Sequence, residues 1–321
     1  MCDNVRVSIV IVCMNNLKNL YPCLDSIKKY TKVSYETFVV AYLFSKENLE
    51  KLRNDYPWIT IIESNEIRGF SENNNLALRQ VKGDFCFVLN DDTLFSCDAI
   101  GLLCDTLQSL PNDVAIVSPI TLNRDGSIQR NGRPKYTIFT YFLDLMRIIK
   151  YYENASKYTG GKGIYQTYNI SGAAFLIKTE VFRSLNWFDE RYFFCPEDIA
   201  LSTLINQRGM KCYVNTNISI THLRGETRSK VHTATLPACK KGELIFYAHD
   251  IIFKRILFIF MIYIFHSLYG GIWFFKYLLD KKNHYQIMYK AHFNTIKTIG
   301  SKLTPKQIFI QYYETIRSKS L

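Results

Sequence analysis

The chain has 321 residues, 48% apolar and 21% charged, with 15 Gly and 8 Pro. That composition excludes a disordered, collagenous or low-complexity chain, and the length suits two domains or one large α/β unit with an appendage. The net charge of +12 is concentrated near the C-terminus: residues 240–321 hold thirteen Lys and Arg against four Asp and Glu, a surplus of nine.

Nine cysteines, an odd number without a Cys-x-x-Cys pair, argue against a disulfide framework or zinc ribbon and for a reducing cytosol. The opening Met1-Cys2-Asp3-Asn4 lacks a basic region followed by an apolar run, so no signal peptide is expected.

In chain order, Val7–Cys13 is a continuous apolar, β-branched run, the pattern of a strand buried on both faces. Leu17, Leu20, Leu24 and Ile27 then share one helical face. The pattern predicts strands at Thr37–Tyr42 and Ile59–Ile62, with a helix at Lys46–Asp55 between them. A helix containing Leu76–Val81 leads to a fourth buried strand at Phe85–Leu89. Ala99–Leu110 and Val114–Val117 repeat the alternation. Such repetition argues for a mostly parallel sheet with helices on both faces, and ligands then bind beyond the carboxyl ends of the strands. Between Asn123 and Tyr168 the periodicity fades, and a loop-rich insertion is expected there. Its cluster Thr159-Gly160-Gly161-Lys162-Gly163 lacks the following Lys-Ser/Thr of a phosphate-cradling loop, and reads as a surface, lid or acceptor loop. Regular structure resumes at Gly172–Ile177 and runs to about His222.

Three places carry candidate chemistry. Asn90-Asp91-Asp92-Thr93 follows the fourth strand. Adjacent carboxylates repel unless a cation or donors accompany them, and hard divalent ions suit such a pair; helix or turn capping is the plainer alternative. Glu197-Asp198, after Phe193-Phe194-Cys195-Pro196, opens an apolar-periodic helix. There Asp198 serves either as a cap or as a general base. His222, at the end of a strand-like run, is a structural residue by itself, or completes a metal shell.

Toward the C-terminus, Ile256–Phe275 is 20 residues without Asp, Glu, Lys or Arg, flanked by Lys254, Arg255, Lys276, Lys281 and Lys282. Its length reaches the transmembrane threshold, but cations lie on both sides. A helix in the headgroup layer, a span and a buried core helix all fit. Cations near an anionic leaflet favour a membrane partner over nucleic acid, which is not expected to bind.

Taken together, these segments resemble the family 2 glycosyltransferases, in particular bacterial rhamnosyl- and galactofuranosyltransferase-like members. The resemblance rests on Val7–Asn16, on Arg68-Gly69-Phe70-Ser71-Glu72-Asn73-Asn74-Asn75, on Lys82-Gly83-Asp84-Phe85 and on Leu89–Thr93. It continues through Ser171-Gly172-Ala173-Ala174-Phe175-Leu176-Ile177, Val181-Phe182, Trp187, Phe188–Phe194, Glu197-Asp198 and His222. It covers roughly residues 5–228, and the basic, aromatic C-terminal helices resemble the family's membrane-docking tails.

The resemblance implies an α/β GT-A fold with a Rossmann-like, mostly parallel sheet. The catalytic domain would occupy residues 1–238, split near residue 120 into donor and acceptor halves, and residues 239–321 would form a membrane-docking region. It further implies inverting transfer from a dTDP- or UDP-sugar to a glycan or polyprenyl-linked acceptor. The setting would be surface polysaccharide synthesis at the cytoplasmic face of the bacterial inner membrane. Mg²⁺ or Mn²⁺ would bind Asp92, Asp91 and His222, with Arg224 or Arg228 near the diphosphate. Donor contacts would come from Asn15, Asn16, Arg68, Gly69, Phe70, Asn75, Asn90 and Asp91. Asp198, with Glu197, would be the base, and Gly172, Ala173, Trp187, Phe188 and Asp189 would line the acceptor side. One departure stands out: Ala41 replaces the Asp that usually ends the family's second strand. A non-catalytic membrane scaffold with a degenerate transferase fold is the alternative that this substitution keeps open.

Overall fold

The computed structural model describes residues 6–129, 132–146, 162–223 and 231–317. The chain folds as two compact units. The first holds the described residues up to 135, those up to Asp189 from 162 on, and 198–223; the second holds 136–146, Glu190–Glu197 and 231–317.

The first unit is built on one sheet. Strands β1 (Val7–Met14), β2 (Tyr35–Tyr42), β3 (Thr60–Ser64) and β4 (Phe85–Asn90) are mutually parallel, in the order β3-β2-β1-β4. Helices α1 (Leu17–Tyr30), α2 (Lys46–Asp55) and α3 (Phe70–Leu78) make the crossovers. The order reverses between β1 and β4, and it is beyond the carboxyl ends of the strands at such a switch point that open α/β sheets bind ligands. Beyond β4 the sheet is mixed: β8 (Ala174–Lys178) runs antiparallel to β4 and to β6 (Val114–Leu122), and β6 pairs parallel with β9 (Lys211–His222). The short β5 (Thr93–Leu94) and β7 (Ile164–Thr167) both lie antiparallel to β9. Helices α4 (Ala99–Ser109), α6 (Thr179–Ser184) and α7 (Glu197–Gln207) complete the connections. The continuous apolar runs read from the sequence are the buried strands, with Ile9, Ile11, Phe87 and Leu89 in one core layer and Val10, Val40, Cys86 and Val88 in the other.

Gly83 shows how tightly β1 and the β4 approach are matched. A Cβ there would lie 2.7 Å from the Ser8 backbone nitrogen and 2.8 Å from the Val7 carbonyl carbon. The amide of Gly83 donates instead to Ser8 Oγ at 2.9 Å.

The second unit is helical: α5 (Ile138–Leu145), α8 (His232–Ala248), α9 (Ile252–Leu279), α10 (Asn283–Ile299) and α11 (Pro305–Arg317). Its core gathers Tyr141, Phe142, Leu244, Tyr247, Phe258, Ile262 and Ile299. The segment expected to be a loop-rich insertion thus contributes α5 and β7, an eight-residue helix and a four-residue strand too short for their periodicity to stand out. Residues 159–161 of the glycine cluster, and Arg224 and Arg228, lie outside the described residues. The division between units also differs from a boundary at 239. Tyr141 and Phe142 pack on Tyr247 and Phe258, and Phe193 and Phe194 pack on Phe309, so two upstream segments join the helices.

Helix α9 contains the long apolar run. Phe258, Ile262, Phe265, His266 and Gly270 face inward. Ile252, Ile256, Phe260, Ile264, Leu268, Ile272, Phe275 and Leu279 form an exposed apolar stripe along its whole length. It is the one helix among the described residues long and apolar enough to cross a membrane.

Candidate active site

The acidic turn after β4 is fixed by the strand that follows it. β5 pairs Thr93 with His222 at the end of β9, and the amide of Leu223 donates to the Asp92 carbonyl at 2.9 Å. Two residues 130 positions apart are thereby set side by side: His222 Nε2 lies 3.2 Å from Asp92 Oδ1 and 3.3 Å from Asn90 Nδ2. Asp92 is only 4% exposed.

The imidazole is oriented from behind by a residue that sequence reasoning passed over, Gln129. Its Nε2 donates to the His222 carbonyl at 2.7 Å and to Asn123 Oδ1 at 2.9 Å, which fixes the amide orientation. Gln129 Oε1 is then an acceptor, 2.9 Å from His222 Nδ1, so Nδ1 carries the proton. In the neutral ring Nε2 is then an acceptor, reached by the Asn90 Nδ2 donor and lying beside the Asp92 carboxylate. Two acceptors facing one another at this separation suit a shared divalent cation, with Gln129 in the supporting role that outer hydrogen bonds play for ligating histidines. Nothing in the sequence marked Gln129, which sits in an irregular segment.

Asp91 has a further partner. Its carboxylate is hydrogen-bonded to the Cys13 thiol at the end of β1, and burial, opposed by that bond and reinforced by the Asp92 charge, raises its pKa to about 7. Burial and the Asp91 charge in turn push the Cys13 thiol well up. Among the described residues no group of three His, Cys, Asp or Glu side chains is arranged to hold a metal. The expected trio is thus the pair Asp92 and His222, with Asp91 beside it.

Asp198, in the first turn of α7, reaches the same edge of the sheet through β8. Its Oδ2 accepts from the Gly172 amide at 3.1 Å, and Oδ1 from the Ile199 amide at 2.8 Å. One residue on, the Ala173 carbonyl accepts from the Asn90 amide at 3.0 Å. Ser202 steadies this start of α7, donating to the Asp198 carbonyl at 2.7 Å and accepting from the Ile170 amide at 3.2 Å. Two hydrogen bonds and two residues of backbone therefore link Asp198 to the acidic turn. Glu197, half-buried, is the first residue of α7 and belongs with the helical unit.

On the β1 and β2 side, exposed Asn15 holds a left-handed backbone (φ 48°), and its Oδ1 accepts from the Ser45 amide at 3.1 Å and Asn48 Nδ2 at 2.9 Å. Asn16 caps α1. Ala41 lies opposite Cys13, and Tyr42 beside it is buried.

The turn into α3 begins with Arg68, whose guanidinium meets Glu66 at 2.7 Å and Ser64 Oγ at 3.3 Å. Gly69 is the N-cap, its amide donating to Glu72 at 3.0 Å. The Phe70 ring packs edge-on to Phe188 at 5.8 Å. Asn75 is buried, with Nδ2 donating to the Phe188 carbonyl at 2.9 Å and Oδ1 accepting from the Phe188 amide at 3.1 Å. Its amide thus ties α3 to the segment around Phe188. Trp187, in left-handed backbone (φ 66°), packs edge-on to Phe182 at 5.4 Å, and Asp189 ends that segment half-buried.

The model of the family described as "Glycosyl transferase family 2" matches residues 8–183, more than half of the chain. The chain belongs to glycosyltransferase family 2. For this glycosyltransferase, the matched span runs from β1 to α6 and includes the acidic turn and Gly172, while Asp198 and His222 lie beyond it.

Among solved structures, a mannosyltransferase from Pyrobaculum calidifontis, PcManGT, in complex with GDP-Man and Mn²⁺, is similar. Its sequence identity is 14% with a TM-score of 0.53, covering 93% of this chain and 88% of that one. GalNAc-T7 with UDP, GalNAc and Mn²⁺ is 16% identical with a TM-score of 0.54, over 70% of this chain. The matched region spans 44% of that enzyme's length. At these identities the likeness shows the fold, which is GT-A. No curated protein sequence is matched.

Proposed function

We propose that this family 2 glycosyltransferase moves a sugar, with inversion, from a dTDP- or UDP-linked donor to a hydroxyl of a glycan or polyprenyl-linked acceptor. The observation that carries this reading is the short bridge Asn90–Ala173–Gly172–Asp198, which joins the two acidic centres at one edge of the sheet. The donor would lie at the switch point between β1 and β4, with Asn15, Asn16, Arg68, Gly69 and Phe70 around it. Both neighbours named above were solved with Mn²⁺ and a nucleotide or nucleotide sugar, which supports a nucleotide-sugar donor and a divalent ion here.

Asp92 and His222 would hold Mg²⁺ or Mn²⁺, and Asp91 stands next to them. When bound, such an ion offsets the charge that builds on the leaving diphosphate. The chain's own residues supply the rest. Gly172 and Ile199 amides fix the Asp198 carboxylate in one orientation, each oxygen keeping a further lone pair for a proton. Asp198 would take that proton from the acceptor hydroxyl as it attacks the anomeric carbon opposite the departing diphosphate. A positioned base is worth about 10²–10⁴ in rate. Gly172, Ala173, Trp187 and Phe188 would shape the acceptor side.

For α9 we infer a helix lying in the headgroup layer of an anionic membrane. Its inner face packs in the helical unit while the outer stripe stays apolar, and Lys254, Arg255, Lys276, Lys281 and Lys282 flank it. A span would expose the packed face to lipid or need a partner for it. This placement suits a lipid-linked acceptor and surface polysaccharide synthesis at the cytoplasmic face of a bacterial inner membrane.

The test is Asp198→Asn, whose Oδ1 still accepts from one of the two amides while its NH₂ group cannot accept from the other, so circular dichroism first checks that the variant is folded. In a panel of UDP-, dTDP- and GDP-sugars with MnCl₂, the variant should show the donor-induced thermal shift of the wild type and lose about 10²-fold or more in turnover. Near-normal turnover would remove Asp198 as the base. Donor binding without turnover in the wild type would favour the scaffold reading.

A further inference from the structure

We infer that Cys195 and Cys239 form a redox-modification site, a thiol pair that closes to an intrachain disulfide under oxidising conditions. The Cys239 thiol donates to Cys195 Sγ at 3.2 Å, across 44 residues of sequence. Disulfide formation needs about 2.05 Å between the sulfurs, so closure asks for about 1 Å of approach. Both residues belong to the helical unit, Cys195 in the segment Glu190–Glu197 and Cys239 on α8.

The backbone holds them to this approach. Gly242, one turn beyond Cys239 on the same face of α8, meets the Cys195 carbonyl so closely that a Cβ would lie 2.1 Å from that oxygen. Rings on either side of the same segment pin it as well: Tyr192 on Phe246 at 6.2 Å, Phe193 on Phe309 at 4.8 Å, and Phe194 on Phe309 at 5.2 Å. In contrast Cys23, Cys86 and Cys212 sit inside the sheet unit, where burial pushes their thiols up to about 12.

Exposure sets the order of events. Cys195 is half-buried and reaches solvent, whereas Cys239 is 2% exposed. With glutathione disulfide as oxidant, the Cys195 thiolate attacks one glutathione sulfur, and the other glutathione leaves as a thiol. The Cys239 sulfur then attacks Cys195 in the mixed disulfide and expels the second glutathione. The two protein thiols lose two protons and two electrons, and one glutathione disulfide becomes two glutathiones. In a reducing cytosol the pair stays open, and oxidation closes it.

The consequence for activity rests on the function proposed above. Cys195 stands three residues before Asp198 in the chain, so the approach of the sulfurs draws on the segment that leads into the base. Displacements of about 1 Å at a reacting group cost up to 10² in rate, so the oxidised enzyme should be slower.

The experiment reads the bond itself, independently of any substrate. The reduced full-length protein is incubated with glutathione disulfide, its remaining thiols are alkylated, and it is digested with trypsin. A cross-linked species of residues 192–208 with 231–240 should appear, each peptide carrying one cysteine, and dithiothreitol should abolish it. In Cys239→Ser, Cys195 should accumulate as its glutathione adduct. Recovery of Cys195 and Cys239 only as separate alkylated or glutathionylated peptides in the wild type would overturn the proposal. With an active donor and acceptor pair in hand, turnover should fall at least 10-fold on oxidation and return with dithiothreitol. A wild type that is inactive in both states, yet shows the cross-link, would count against the function proposal and leave the thiol pair standing.

Discussion

The buried histidines of the helical unit should make it acid-labile in a specific window. His266 on α9 and His292 on α10 meet through their Nδ1 atoms at 3.0 Å, 0% and 6% exposed respectively. One Nδ1 carries a proton and the other accepts it. His266 Nε2 is buried and has no hydrogen-bond partner among the described residues, so a bare lone pair there is the less costly tautomer, and His266 is the donor. Protonating His292 puts hydrogen on both facing nitrogens and breaks the bond.

Burial, followed by the charges of His232 and Lys240, lowers His292 from 6.5 to about 4. Burial, with Lys240 and His292, lowers His266 to about 2. The folded pKa lies below the unfolded one, so the unfolded chain takes up protons first as pH falls. The stabilisation is complete above pH 6.5 and drains away toward pH 4. For His292 alone the shift corresponds to about 1 kcal/mol lost by pH 5.5 and about 3 kcal/mol by pH 4, and His266 adds in the same direction.

Hydrogen exchange of peptides from Asn283–Ile299, corrected for intrinsic rates between pH 7.5 and 4, measures this without assuming that both units unfold together. Carboxylates titrate in the same range, so the comparison is with His292→Asn, which keeps a polar atom near the Nδ1 position but cannot titrate there. The wild type should lose about 3 kcal/mol more protection than the variant over that range. Parallel pH profiles for the two proteins would show that the pair is not held neutral by the fold.

Four further outcomes follow from the same structure. Gln129→Leu should free the His222 ring and weaken Mn²⁺ binding about 10–100-fold in titration calorimetry while Asp92 and His222 remain; unchanged affinity would mean that Gln129 does not orient a ligand. Asn75→Ala strips the Phe188 amide and carbonyl of their buried partners, and should cost about 2–4 kcal/mol in urea unfolding of the sheet unit, against a fraction of that for an exposed site. Gly83→Ala forces a methyl against β1 backbone and should destabilise by about 1–3 kcal/mol, visible as a lowered thermal midpoint. Ile256→Glu, Phe260→Glu and Ile264→Glu together, all at exposed positions of α9, should abolish cosedimentation with vesicles containing phosphatidylglycerol while leaving circular dichroism unchanged; retained binding would place the membrane contact elsewhere.

Much of this molecule was legible in its sequence because its local and global preferences agree. A strand buried on both faces must be apolar throughout, so Val7–Cys13 and Phe85–Leu89 announced themselves, and with the intervening helical stripes they required a parallel sheet. The run Ile256–Phe275, free of charge, likewise predicted a long apolar helix. Candidate residues such as Asp92, Asp198 and His222 could be named because each stands where an element begins or ends.

What the sequence could not hold is any relation set by packing between distant segments. Only the β5–β9 pairing decides that His222 faces Asp92, and only the β4–β8 pairing brings Gly172 and Asp198 to the acidic turn. Gln129 acquires its role from the oxygens that fix its amide, and Asp91 meets the Cys13 thiol only because β1 and β4 are neighbours in the sheet. The aromatic side chains that draw residues 138–145 and 190–197 into the helical unit carry no periodic signature. Their partners lie about a hundred residues away, and such contacts exist only once the chain has closed on itself.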